Sequence, residues 1–187
     1  RTYAMQYDPL SQRFELRGAG VHHADGARDE GTEVDEIDVN ADPATRIVTL
    51  TITEKGYKLD PVTGRLLTDD PDLAADLQSL AAPRTAPGFL TAALAIRRTR
   101  GLAPFTAISC DNIPENGKRL RAAVLALAGA HDPGLAAWIA AQGAFPQTMV
   151  DRIVPATTAD DIAALSARLR VEDQAMVKTE PFRQWVI

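Results

Sequence analysis

A single cysteine, Cys110, is all that this chain of 187 residues contains, so an internal disulfide and a cysteine-built zinc site are both excluded. Aromatic residues make up only 5% and no basic stripe carries them, which leaves nucleic acid a poor candidate partner. The most apolar stretches, 122–130 and 135–141, fall short of the about 18 residues of a membrane span and are broken by His131, Asp132 and Pro133. The first residues do not read as a secretory signal, and Arg1 stands where a native reading frame would carry Met, so a portion of something longer is expected. The lone thiol suits a reducing compartment, and the expectation is a soluble, cytoplasmic protein.

The net charge of -5 is unevenly placed. Ten acidic and five basic side chains fall in residues 1–46, so the whole imbalance lies in the first quarter of the chain. Asp29, Glu30, Glu33, Asp35, Glu36 and Asp38 supply most of it, and such a run is expected to be a solvated loop.

The opening reads as a hairpin, residues 2–7 and 12–17 about an Asp8-Pro9 turn. Residues 46–53 (RIVTLTIT) place Val48, Leu50 and Ile52 on one face and are rich in β-branched side chains, which predicts a buried strand. Asp60-Pro61-Val62-Thr63-Gly64 reads as a turn, and Asp70-Pro71 as the start of a short helix. A longer helix is predicted over 87–100, with Leu90, Ala93, Leu94 and Arg97 at helical spacing and Gly101 to end it. Residues 105–110 (FTAISC) form a second apolar strand. Helices over 117–130 and 133–142 follow, and Thr158 with Asp161 predicts a capping box for a helix reaching Leu169. Residues 175–179 and 183–187 read as extended. Alternating strands and helices predict an α/β fold, with residues 1–45 an irregular edge and 46–187 the body of the same domain.

In open α/β sheets ligands bind beyond the carboxyl ends of strands, which directs attention to Asp111, Asn112, Glu115 and Asn116 after FTAISC. A carboxamide there can donate to an oxygen gaining negative charge, with the field of the next helix assisting; a capped loop is the alternative. Thr53, Glu54 and Tyr57 follow the first strand, as site or as ordinary strand exit. Asp151 and Arg152 are adjacent charges in an apolar run, which fits a structural ion pair or a functional group. Gly18-Ala19-Gly20 lacks the third glycine of a phosphate-binding turn, since His23 stands there. His22 and His23 would point to opposite strand faces, which argues against a metal site. Cys110 reads as a buried strand-end residue and His131 as a helix C-terminal residue.

Three of these segments, residues 109–117 (SCDNIPENG), 145–153 (FPQTMVDRI) and 180–187 (EPFRQWVI), together with 48–57 (VTLTITEKGY), resemble the long-chain mannitol dehydrogenase family in order and spacing, over about residues 42–187. That family includes mannitol 2-dehydrogenase and fructuronate reductase. The resemblance implies part of a Rossmann-type nicotinamide domain in a metal-free oxidoreductase, moving a hydride between NAD or NADP and a polyol/ketose or hexonate/hexuronate pair. It implies catalytic roles for Asn112 and Asp151, and cofactor contacts from Thr53, Glu54, Asp111, Val150 and Asp151. The partners expected are a small sugar alcohol, ketose or sugar acid and the enzyme's own C-terminal catalytic domain. The family's glycine fingerprint and the helix bearing its lysine base are absent from this sequence, so by itself the chain is expected to bind cofactor poorly and not to turn over. A non-catalytic sugar-binding or interaction module with the same fold is the alternative.

Overall fold

The computed structural model describes residues 2–8, 13–18, 42–171, 173 and 175–187. Pro9 of the expected turn, the acidic run 29–38, and His22 and His23 lie outside them, as do Ala19 and Gly20.

The expected hairpin forms: β1 (Thr2–Asp8) pairs antiparallel with β2 (Arg13–Gly18). β1 also pairs parallel with β3 (Ile47–Thr51), and β3 pairs parallel with β4 (Thr106–Ser109), giving the order β2-β1-β3-β4. Parallel neighbours such as β3 and β4 need a crossover connection, and here it places helices against the sheet. That covering fits the burial of the strands: Val48 and Leu50 of β3 are inaccessible, and so are consecutive residues Ala107, Ile108 and Ser109 of β4.

The crossover from β3 to β4 carries α1 (Thr53–Gly56), α2 (Pro71–Gln78) and α3 (Ala86–Thr99). Asp70 caps α2 by accepting from the amides of Asp72 and Leu73, while Lys58 donates to its other oxygen at 2.6 Å. Asp76, buried in α2, accepts from the amides of Arg84 and Thr85 and from the Thr85 hydroxyl, and that hydroxyl in turn caps α3 at Gly88. α3 presents Leu90, Ala93 and Leu94 to the sheet. Arg97 is on the same helix and is also buried. Its guanidinium donates to the carbonyls of Ala103 and Asp42, both at 2.7 Å, and lies over the Phe105 ring.

A side chain at Gly88 would meet this junction head-on. Its Cβ would stand 2.0 Å from Asp76 Oδ2, an oxygen held by two donors from Thr85 that it could leave only by stranding them. Gly88→Ala is therefore expected to destabilise the domain by about 3 kcal/mol. A urea unfolding midpoint equal to that of the unsubstituted protein would show that the carboxylate yields freely.

After β4, α4 (Asn116–His131) and α5 (Pro133–Gln142) complete the layer. Leu120, Ala123 and Val124 of α4 join Leu135 and Ile139 of α5 in one cluster with Val48, Leu50 and Ala107. Among the described residues no helix is long and apolar enough to cross a membrane.

The chain divides into two compact units, residues 1–148 with Ile187 and residues 149–186. The sequence places all of 46–187 in one body, whereas the later segment pairs within itself. In it, β5 (Met149–Asp151) runs antiparallel to β6 (Gln184–Val186), and α6 (Ala159–Leu169) begins with the expected capping box of Thr158 and Asp161. None of its described residues is buried.

Asp161 accepts from Thr158 and is paired with Lys178 at 2.7 Å; the Lys178 bond, then the Thr158 amide, lower its pKa from 3.8 to about 2. A depressed carboxylate pKa contributes stability that is complete above the unfolded value and lost as pH falls through the folded one. Helix α6 is therefore expected to keep its order at pH 5 and to fray between about pH 4 and pH 2. Amide chemical shifts of Asp161 that are flat across that window would count against the capping role.

Candidate functional site

β3 and β4 are neighbouring parallel strands, so their carboxyl ends lie side by side. Just past β3 come Thr53 and Glu54, both exposed; just past β4 come Asp111, which is buried, and Asn112, which is exposed. Four of the sequence-predicted site residues are thus brought to one edge of the sheet.

Their local environments differ. The Asp111 carboxylate accepts from the Ile52 amide at 3.1 and 3.2 Å, from the Thr53 amide at 3.0 Å and from the Tyr57 hydroxyl at 2.7 Å. It is consumed by the protein's own chain at the end of β3. Asn112 is the reverse: among the described residues its carboxamide has no hydrogen-bond partner. The side chains of Thr53 and Glu54 are likewise uncommitted there. Thr53 has φ +61°, a left-handed conformation in which a β-branched residue is strained.

Beneath this edge lies a buried polar layer. The Tyr57 hydroxyl, in addition to meeting Asp111, contacts Ser109 Oγ at 2.5 Å, and the Asp111 amide donates to that same Oγ at 3.2 Å. Burial, the largest influence, pushes the Tyr57 phenol well above its ordinary range. Cys110, half-buried, has its thiol pushed up by burial and then by the nearby Asp111 charge, so it is not an activated nucleophile.

Asn116, fully buried at the start of α4, ties the β4 end to residues 145–148. Its amide nitrogen donates to the Asp111 carbonyl at 2.9 Å and to the Thr148 carbonyl at 3.1 Å, and its oxygen accepts from the amides of Gly117 and Thr148. The Thr148 hydroxyl bonds the Ser109 carbonyl. Gly117 permits this approach, since a Cβ there would stand 2.3 Å from the Pro146 carbonyl oxygen. The Gly117 amide is also taken by Gln147 Oε1 at 3.1 Å, so this first-turn donor of α4 serves the fold. Sequence reasoning named Asn116 as a candidate at the strand end and missed this clamp. The signal was present: a buried polar residue must find partners, and the two resembling motifs supply them.

Val150 and Asp151 belong to the other unit. Val150 is half-buried and pairs with Trp185 across the β5–β6 ladder, while Asp151 is exposed and pairs with Gln184. The ion pair suggested by the adjacency of Asp151 and Arg152 does not form. Arg152 instead donates to the Glu180 carbonyl at 3.1 Å, and both charges stay in solvent beside exposed Ile153 and Val154.

A nicotinamide dinucleotide has an amide, ribose hydroxyls and phosphates to satisfy. The exposed hydroxyl of Thr53, carboxylate of Glu54 and carboxamide of Asn112 are chemically suited to the amide and hydroxyl groups, and they stand where open α/β sheets bind ligands. Comparison with known proteins points the same way. The model of the mannitol dehydrogenase Rossmann domain matches residues 18–187. The chain is 50% identical over 147 residues to D-mannonate oxidoreductase of Escherichia coli K12, and 50% identical over 149 residues to mannitol 2-dehydrogenase of Aspergillus oryzae. Each match covers 79% of this chain and 30% of the relative, so the chain spans about a third of the length of these proteins. It also superimposes on Pseudomonas fluorescens mannitol 2-dehydrogenase, solved as a ternary complex with NAD and D-mannitol, with TM-score 0.69 and 43% identity over 80% of this chain and 30% of that one. The expected Rossmann-type α/β fold is thereby established.

Proposed function

Because this chain belongs to the mannitol dehydrogenase family, we propose that it is the cofactor-domain portion of an NAD-linked oxidoreductase acting on a polyol/ketose or hexonate/hexuronate pair. The observation that carries the reading is the free Asn112 carboxamide at the end of β4, beside the uncommitted side chains of Thr53 and Glu54 at the end of β3. NAD is favoured over NADP because the solved mannitol 2-dehydrogenase holds NAD.

Bound nicotinamide supplies the hydride acceptor or donor. The chain's own residues hold and orient. Asn112 donates a carboxamide N–H to the substrate oxygen as it gains charge, a role for which a neutral donor at a strand end is suited. Thr53 and Glu54 contact the cofactor from the neighbouring loop. Val150 and Asp151, on β5 of the other unit, are cofactor contacts by family resemblance, and Asp151 keeps an exposed carboxylate. Asp111 acts from inside, through the amides of Ile52 and Thr53.

The general base and most substrate contacts come from a further, C-terminal catalytic domain. The greater length of the relatives supports that partner. So do the exposed Phe182, Trp185 and Val177 in the second unit, which a neighbouring domain would cover. A cytoplasmic location suits an enzyme that draws on the cell's nicotinamide pool.

The test is an absorbance assay of the protein carrying this domain, with NAD and a panel of mannitol, arabinitol, mannonate and altronate. NADH formation with at least one member is expected. Absence of both turnover and NADH binding would remove the proposal, and sugar binding without turnover would favour a non-catalytic module.

A further inference from the structure

We propose that Ser109, Tyr57 and Asp111 form a closed buried ring that is the positioning element of this edge, locking the loop after β3 to the loop after β4 so that Thr53, Glu54 and Asn112 are presented together. The inference rests on the reading of that edge as a nicotinamide site.

The direction of each bond follows from chemistry. A carboxylate only accepts, so the single Tyr57 hydroxyl proton points at Asp111. The 2.5 Å contact between Tyr57 and Ser109 must then be a donation from Ser109 to Tyr57. Ser109 Oγ is left to accept from the Asp111 amide, which it does at 3.2 Å. Hydroxyl, phenol, carboxylate and amide thus close on themselves, each satisfied and each polarising the next. The ring links residues 52 and 54 positions apart in the chain, and all three members are nearly inaccessible, so none is in place to touch a ligand.

Two features argue for more than packing. A phenylalanine at position 57 with an apolar partner would fill the same core without any desolvation cost, so the polar ring is not the simplest way to stabilise this layer. The ring also acts on a strained residue: Asp111 Oδ1 holds the amide of Thr53 at 3.0 Å, where φ is +61°. Strain of this kind persists only where surrounding structure imposes it, and here the imposing group is the residue that immediately precedes Asn112. One carboxylate therefore fixes both loops.

The experiment compares the full enzyme with its Tyr57→Phe, Asp111→Ala and Asp111→Asn variants, measuring kcat, KM for cofactor and substrate, and thermal midpoint, with turnover read where each variant is folded. Tyr57→Phe is expected to lower kcat about tenfold, and Asp111→Ala about a hundredfold, with smaller changes in KM, because misplaced rather than missing groups slow the reacting step. Asp111→Asn should recover much of the alanine loss. Its oxygen can still accept from the Ile52 and Thr53 amides, and its nitrogen can donate to the Tyr57 oxygen. Folded variants with a lowered thermal midpoint and unchanged kcat would overturn the proposal and leave the ring a packing device. If Asp111→Ala does not fold, Tyr57→Phe decides the matter by the same criterion. No turnover by the unsubstituted enzyme would overturn the functional reading and this inference together, whereas turnover that the variants leave unchanged overturns this inference alone.

Discussion

Asn116→Ala is expected to lower the unfolding free energy by about 4 kcal/mol, enough to leave a marginal domain largely unfolded at physiological temperature. The side chain is fully buried and engages the β4 exit and the 145–148 segment from both ends of its carboxamide. Removing it strands the Thr148 amide and leaves the Asp111 and Thr148 carbonyls without this donor. Asn116→Asp should be no milder, since a carboxylate would face carbonyl oxygens where the amide nitrogen now donates. Urea denaturation of both variants checks the expectation; midpoints within experimental scatter of the unsubstituted protein would show that water can replace the clamp.

How much of this was legible in the sequence depends on how local the cause is. Helix α5 begins at Pro133 and ends at Gln142 as read, because Asp132 caps it and proline fixes its first residue. The Thr158 capping box was equally plain, for its two partners are three residues apart. Strands β3 and β4 are visible as apolar runs, with boundaries shifted by a residue or two where side-chain pattern outlasts backbone pairing. By contrast, residues 53–56 read only as a site or an ordinary strand exit, since the four residues of α1 cannot display a helical period. The placement of β1 between β2 and β3 follows from pairings that no local signal encodes.

The site shows the same division. Position after a parallel strand drew attention to both Asp111 and Asn112. What separates a structural carboxylate from an uncommitted carboxamide at adjacent positions is contact with residues more than fifty places earlier, and only the folded chain supplies it. The resemblance implies a catalytic role for Asn112 and a cofactor contact for Asp111. The fold assigns the buried one to the protein's interior and leaves the exposed one available to a ligand.

That contrast sets up the second large expected effect. Asn112→Ala in the full enzyme should reduce kcat by about a hundredfold or more, the usual consequence of deleting one donor to a developing oxyanion, while changing the unfolding free energy by no more than about 0.5 kcal/mol. The two halves follow from one fact: Asn112 is exposed and its carboxamide is uncommitted among the described residues, so its removal costs the fold nothing and the reaction a donor. Asn116, four residues on in the same motif, has the opposite profile, with loss of fold preceding any effect on chemistry. Steady-state kinetics and urea denaturation of the two alanine variants side by side therefore separate the roles. An Asn112→Ala enzyme with normal kcat removes that residue from the mechanism even if the family assignment stands. A large loss of stability in the same variant would mean that the loop after β4 is held by Asn112 itself, contrary to the free carboxamide described here.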